Sequence, residues 1–180
     1  MQSLTLPPEF LSRLDGLQRP YVTLMMAVMG RAMEAASQID PIFQSEVGAL
    51  DNGFLFEMTI QNGPGMVMQK QADGSLKHIG NQCPRKPDLS IRFKHITHAF
   101  LVLSFQESTA RAFANDRMVV DGDLSYAMKM VRCLNRLEAF ILPKLVAERA
   151  VKRYPSLPVQ EKLRHGMRIY SRVAANLLTR

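Results

Sequence analysis

Residues 112–130 read AFANDRMVVDGDLSYAMKM, and this stretch decides the fold that the sequence predicts. It begins as the apolar end of a short helix, continues as a short strand and then turns sharply into a long helix. Gly122 permits the sharp backbone turn, and Asp123 is a favourable N-cap for the helix that follows. The stretch therefore predicts a strand that leads directly into a helix reaching about Leu142.

This long helix has apolar residues on two faces. The first line of apolar residues consists of Leu124, Ala127, Met128, Val131 and Leu134, and the second of Tyr126, Met130, Cys133, Leu137 and Phe140. A helix that is apolar on two faces needs more cover than one face of a sheet provides. The pattern therefore indicates that a second helix or an apolar ligand lies against it.

Along the rest of the chain, the spacing between apolar residues changes from one typical of helices to one typical of strands. Residues 1–19 are predicted to be a loosely held arm with one short turn of helix near residues 10–14, and residues 21–37 a helix with Pro20 in its first turn. Residues 54–60 alternate as a half-buried strand does. Further strands are predicted near residues 66–71, 76–79, 88–93 and 117–121, and short helices near residues 41–47, 96–103 and 108–114. The order predicts an α+β fold with a five-stranded, mainly antiparallel sheet covered by helices.

Four motifs give the chain a resemblance to the sterol carrier protein 2 (non-specific lipid-transfer) family. They are residues 87–93, 112–113, 119–123 and 127–130, in the order and at a spacing similar to those of the family. The resemblance covers roughly residues 45–142 and implies an apolar tunnel that holds fatty acyl chains, sterols or other lipids. It divides the chain into an N-terminal arm and helix (residues 1–44), a lipid-binding domain (45–142) and a basic helical C-terminal extension (143–180).

The implied tunnel needs apolar surface rather than a polar motif. Each buried CH₂ contributes ~0.8 kcal/mol, so a chain of ~16 carbons contributes roughly 12 kcal/mol before ordering costs. The twelve Met residues suit an adaptable pocket, although they also suit ordinary core filling. We predict that the tunnel is lined by Phe93, Phe100, Leu103, Phe113, Met118, Val120, Met128, Val131 and Leu134. Each of these residues, taken alone, is also consistent with core packing.

No pattern in the sequence indicates an enzyme. Nucleotide-binding glycine loops, the G-x-S-x-G nucleophile motif and the H-E-x-x-H metal motif are all absent. His95 and His98 lack a carboxylate or Cys at ligand spacing, so we expect a surface pair rather than a metal site. The turn and N-cap roles of Asp121 and Asp123 already explain these carboxylates. We therefore expect a protein without catalytic activity, cofactor or metal.

The basic charge of the chain is concentrated near its C-terminus. Residues 144–180 contain nine basic and two acidic residues, which accounts for the whole net charge of +7, whereas residues 1–143 hold fourteen of each. Arg164, Arg168 and Arg172 are spaced four apart and form one stripe of a predicted helix. Such a stripe is typical of a helix that contacts an anionic membrane surface, a protein partner or only solvent. Nucleic acid is not expected as a partner, because aromatic and basic residues are not interleaved.

The remaining features bear on location and on alternative functions. Cys83 and Cys133 have no metal-site or disulfide-framework spacing and fit a reducing cytoplasm. No secretory signal or membrane span is predicted, so we expect a soluble cytoplasmic protein, in part peripheral to the membrane. The main hypothesis is a lipid carrier. The alternatives are a non-catalytic accessory protein for enzymes of lipid or isoprenoid-quinone metabolism and a purely structural fold, and a homodimer is compatible with each.

Overall fold

The computed structural model describes the backbone of residues 8–141 and the side chains of residues 16–137. Its helices are α1 (Pro8–Ile39), α2 (Pro41–Gly48), α3 (Ile96–Leu103), α4 (Thr109–Ala114) and α5 (Leu124–Ile141). Its strands are β1 (Leu55–Ile60), β2 (Gly65–Lys70), β3 (Leu76–Gly80), β4 (Leu89–Phe93) and β5 (Met118–Gly122). The predicted α+β class is confirmed.

The five strands form one mixed sheet in the order β3-β2-β1-β4-β5. Strands β1 and β4 are parallel, with Phe56 opposite Leu89, and the other three pairs are antiparallel. The prediction of a mainly antiparallel sheet is therefore confirmed. Residues that face each other across neighbouring strands share one side of the sheet. The apolar residues on one side are Phe56, Met58, Ile60, Met66, Met68, Leu89, Ile91, Phe93, Met118 and Val120.

Helices α1, α3 and α5 cover this apolar side of the sheet. Their buried residues belong to the same core cluster as the buried strand residues named above. Those from α1 are Val22, Met26, Met29, Ala32, Met33, Ala35 and Ala36, those from α3 are Ala99, Val102 and Leu103, and those from α5 are Ala127, Met130, Cys133, Leu134 and Leu137. Helix α1 and the sheet thus share one hydrophobic core.

The prediction that Pro20 begins the first helix is wrong, because α1 begins at Pro8 and contains Pro20. The helix continues through Pro20 despite the N–H group that proline lacks, and a tertiary contact anchors the turn before it. The Gln18 side chain is buried, and its Oε1 accepts a hydrogen bond from Thr97 Oγ1 in α3 at 3.0 Å. The part of the predicted loose arm from residue 8 onwards is therefore helical.

The turn from β5 into α5 forms as residues 112–130 predict. Gly122 has a φ of +132°, and a Cβ atom there would lie 2.5 Å from the carbonyl oxygen of Asp88. Glycine is therefore required both for the backbone conformation and for the close approach to β4. Asp123 precedes the first residue of α5, and its Oδ1 accepts a hydrogen bond from the Ser125 N–H at 2.6 Å. The predicted N-cap is confirmed.

A buried ion pair fixes α5 against the start of α2. Asp40 accepts hydrogen bonds from the N–H groups of Ile42 and Phe43, and Arg136 Nε donates to both of its carboxylate oxygens at 2.8 and 3.0 Å. The Asp40 side chain is 1% exposed. Three further contacts continue this polar stripe towards the start of α5, namely Arg132 with Glu46, Lys129 with the Ala49 carbonyl and Tyr126 with Asp51.

Candidate functional site

A small internal cavity lies between the apolar side of the sheet and the helices. Its volume is about 20 Å³, which is room for roughly one water molecule. The cavity is lined by Met29, Met58, Ile91, Phe93, Val102, Leu103, Phe105, Thr109 and Leu134. Eight of these nine residues are apolar, and Thr109 contributes a hydroxyl group at the first position of α4. The lining can therefore enclose hydrocarbon but carries no charge to fix an ionised group.

The structure brings three of the nine predicted lining residues to this cavity: Phe93, Leu103 and Leu134. Met118 is buried in the same core, and Phe100, Val120 and Val131 are half-buried. Phe113 on α4 and Met128 on α5 are 57% and 51% exposed. The sheet and α2 bury only part of α5, which leaves Met128 and Leu124 facing solvent.

Six lining residues were not predicted from the sequence: Met29, Met58, Ile91, Val102, Phe105 and Thr109. Strand alternation carries a signal for two of them. Met58 and Ile91 are register partners on the same side of the sheet as Phe93. The helical period of α1 gives a weaker signal for Met29. Seven apolar residues of α1 are buried in the core, and the period does not indicate which of them lines the cavity. Phe105 lies between α3 and α4, where no periodic pattern applies.

The polar residues that the sequence analysis considered lie outside the cavity lining. His95 is the N-cap of α3, where its Nδ1 accepts a hydrogen bond from the Thr97 N–H, and its ring centroid lies 6.0 Å from that of His98. Asp121 is exposed, and Asp123 caps α5. Within residues whose side chains are described, no group of three or more His, Cys, Asp or Glu is arranged to hold a metal ion.

The basic stripe of Arg164, Arg168 and Arg172 lies outside the residues that the structure describes. Its contact with a membrane surface or a partner therefore stays a prediction. Among the described helices, none is both long and apolar enough to span a membrane.

Comparison with known proteins gives matches among solved structures. No model of a known protein family matches the chain. No curated protein matches it either. A UbiJ-SCP2 ubiquinone synthesis protein matches with 11% identity and a TM-score of 0.47, over 63% of this chain and 96% of its own.

Two insect structures match over similar lengths. The sterol carrier protein domain 2 of Helicoverpa armigera has 18% identity and a TM-score of 0.42, over 58% of this chain and 81% of its own. The sterol carrier protein-2 like-3 of Aedes aegypti has 12% identity and a TM-score of 0.33, over 58% of this chain and 98% of its own. These similar structures are sterol carrier protein 2 domains, as the sequence resemblance predicted.

Proposed function

We propose that this protein is a non-catalytic lipid carrier that holds the apolar part of a fatty acyl, sterol-like or isoprenoid ligand between its sheet and helices α1, α3 and α5. The uncharged cavity inside one continuous apolar layer is the observation that carries the proposal. Burial of a hydrocarbon chain in such a layer is favourable without any directional contact.

The cavity is too small to hold a hydrocarbon chain as it stands, so the proposed function requires it to enlarge. Pockets for small ligands measure about 300–1,000 Å³, far more than the 20 Å³ present here. Methionine side chains can repack around an inserted chain because they are unbranched and flexible. The layer contains the buried methionines Met26, Met29, Met33, Met58, Met66, Met68, Met118 and Met130. We infer that their rearrangement, together with a shift of α3 or α5, enlarges the cavity when a ligand binds.

A second function is supported by the separation of charge along the sequence. All of the net positive charge lies in residues 144–180. An accessory protein for enzymes of lipid or isoprenoid-quinone metabolism would use this segment to contact an anionic membrane or a protein partner in the cytoplasm. This role is compatible with lipid binding by residues 45–142 and with a homodimer. The purely structural alternative, in contrast, excludes uptake of any lipid.

Two substitutions on α5 test the carrier function. Leu134 lines the cavity, whereas Met128 lies on the exposed side of the same helix. We expect Leu134→Phe to fill the cavity and to weaken binding of an anthroyloxy-labelled fatty acid by about tenfold, which corresponds to ~1.4 kcal/mol. Met128→Phe adds a ring of the same size at the surface, so binding should change by less than about twofold.

The assay is a fluorescence titration of each variant after thermal unfolding has shown that it is folded. Native mass spectrometry of the protein purified without detergent adds an independent readout, since a carrier retains a lipid that solvent extraction removes. If wild-type protein neither retains a lipid nor takes up the labelled fatty acid, the carrier function is wrong, and the accessory and structural alternatives remain. If both variants bind as wild type does, the cavity is not the binding site.

A further inference from the structure

The end of α3 contains an unusual backbone conformation. The helix closes with two hydrogen bonds, one from the Phe105 N–H to the Val102 carbonyl at 3.0 Å and one from the Gln106 N–H to the Leu101 carbonyl at 2.9 Å. This pair of bonds is a Schellman motif, which places the residue after the C-cap in the left-handed region and is usually formed with glycine there. In this protein that residue is Phe105, with a φ of +62°.

A phenylalanine at this position is sterically disfavoured. The left-handed conformation brings the Cβ atom of an L-residue close to its own backbone, and bulky side chains adopt it rarely. Glycine would form the same two hydrogen bonds without the strain, so termination of α3 does not require an aromatic ring. Strained residues of this kind persist where the surrounding structure holds them and are concentrated at functional sites.

Phe105 lies at the wall of the cavity. Phe105 is a lining residue, and it is also half-buried, so part of it faces solvent. The other eight lining residues belong to helices or strands, whereas Phe105 lies in the segment between α3 and α4. Thr109, which begins α4, completes the lining on the other side of this segment. Phe105 thus lies between the apolar interior and solvent, at a point where the chain is not part of a regular element.

We propose that Phe105 is the gate of the cavity and that ligands enter between the C-terminal end of α3 and the N-terminal end of α4. This inference rests on the proposed carrier function. Rotation of Phe105 out of the left-handed region releases its strain and withdraws the ring from the cavity wall. The two Schellman hydrogen bonds and the packing of the ring hold the gate closed when no ligand is present.

The gate can be removed without disturbing the end of α3 by the substitution Phe105→Gly. Asn62→Gly is a matched control, because Asn62 also has a positive φ, of 57°, but is exposed in the turn between β1 and β2. We expect Phe105→Gly to raise both the association and the dissociation rate of an anthroyloxy-labelled fatty acid by about tenfold in stopped-flow fluorescence. Asn62→Gly should leave both rates unchanged. Phe105→Trp enlarges the side chain at the gate and should slow both rates. This test remains valid even if the glycine variant does not fold.

The outcomes separate the gate from the carrier function. The gate is supported if Phe105→Gly takes up the labelled fatty acid faster than wild type and Asn62→Gly do. It is also supported if Phe105→Gly is the one protein of the four that takes up the fatty acid. Equal rates in all four proteins overturn the gate and leave the carrier function intact. Absence of uptake in every variant overturns the carrier function and the gate with it.

Discussion

Cys133 on α5 shows how one buried residue couples stability to pH. Its side chain is 2% exposed and belongs to the core cluster. Burial raises the pKa of its thiol to about 12, with a smaller contribution from the negative charge of Glu46. The thiol is therefore uncharged at neutral pH and behaves as a small apolar group.

We expect this thiol to make folding less favourable at high pH. The thiol of the folded protein ionises near pH 12 and that of the unfolded chain near pH 9, so stability is fully present below pH 9 and is lost as the pH rises towards 12. At pH 10.5 the loss from this group is about 2 kcal/mol. Urea unfolding between pH 8 and pH 11 should show a smaller decline for Cys133→Ala than for wild type. The control is Cys83→Ala, because burial raises the pKa of this thiol too, but the residue is only half-buried and its removal should change the decline less. Equal declines in the two variants would contradict the prediction.

Residues in turns and strands could be predicted from the sequence more reliably than residues that line the cavity. Gly122 and Asp123 have local roles that depend on their immediate neighbours in the chain, and both were predicted correctly. Whether Met128 or Leu134 faces the interior depends on how α5 rotates against the sheet and α2, which its two apolar lines do not determine. The position of Phe105 depends on where α3 ends, and no repeat in the sequence marks it.

At the scale of elements, α1 protects one edge of the sheet. The Ser37 Oγ accepts a hydrogen bond from the N–H of Leu76 in β3 at 2.9 Å, and the Glu34 carboxylate accepts one from the N–H of His78 at 3.4 Å. Gly30 permits the helix to approach, because a Cβ atom there would lie 2.6 Å from the His78 ring. Helix α1 thus pairs with N–H groups that an edge strand otherwise offers to another strand.

Removal of the Ser37 hydroxyl should destabilise this edge. Ser37→Ala leaves the buried N–H of Leu76 without its acceptor, and we expect the free energy of unfolding to fall by about 1–3 kcal/mol. Ser45→Ala is the control, because both hydroxyls donate to a carbonyl three residues earlier at 2.7 Å, but Ser45 is exposed on α2. Urea unfolding measures the loss, and hydrogen exchange of the Leu76 amide locates it. Similar losses in the two variants would show that the bond to β3 is not stabilising.

The sequence predicted the type and approximate bounds of these elements but not their arrangement. Alternating apolar residues identified β1, β4 and β5, turn signals identified β2 and β3, and helical spacing identified α3 and α5. The same patterns do not predict that β1 lies beside β4, because the order of strands in the sheet depends on contacts between residues that are far apart in the sequence. Pro20 misled the prediction for α1 because the contact of Gln18 with Thr97, which holds the preceding turn, joins residues far apart in the chain.

At the scale of the whole molecule, a long stretch of balanced charge is followed by a basic segment. Residues 1–143 hold equal numbers of basic and acidic residues, whereas residues 144–180 carry the net charge of +7. A lipid carrier has to collect its ligand from a membrane or from a partner. Each Lys or Arg near an anionic membrane surface contributes about 1 kcal/mol, and salt screens this attraction. The charge distribution therefore favours an approach to anionic surfaces through the C-terminal segment.

We expect reversal of Arg164, Arg168 and Arg172 to Glu to abolish binding to vesicles that contain an anionic lipid, because the three reversals lower the net charge of residues 144–180 from +7 to +1. Co-sedimentation at low and high salt measures binding, and wild-type binding should weaken as salt screens the attraction. Reversal of Lys77, Lys86 and Arg92, which are exposed in the described domain, changes the net charge equally and serves as the control. If this control loses binding as fully as the first variant, the attraction depends on total charge and not on the C-terminal stripe. Unchanged binding of the first variant would instead exclude the stripe as a membrane contact and leave a protein partner or solvent on that face.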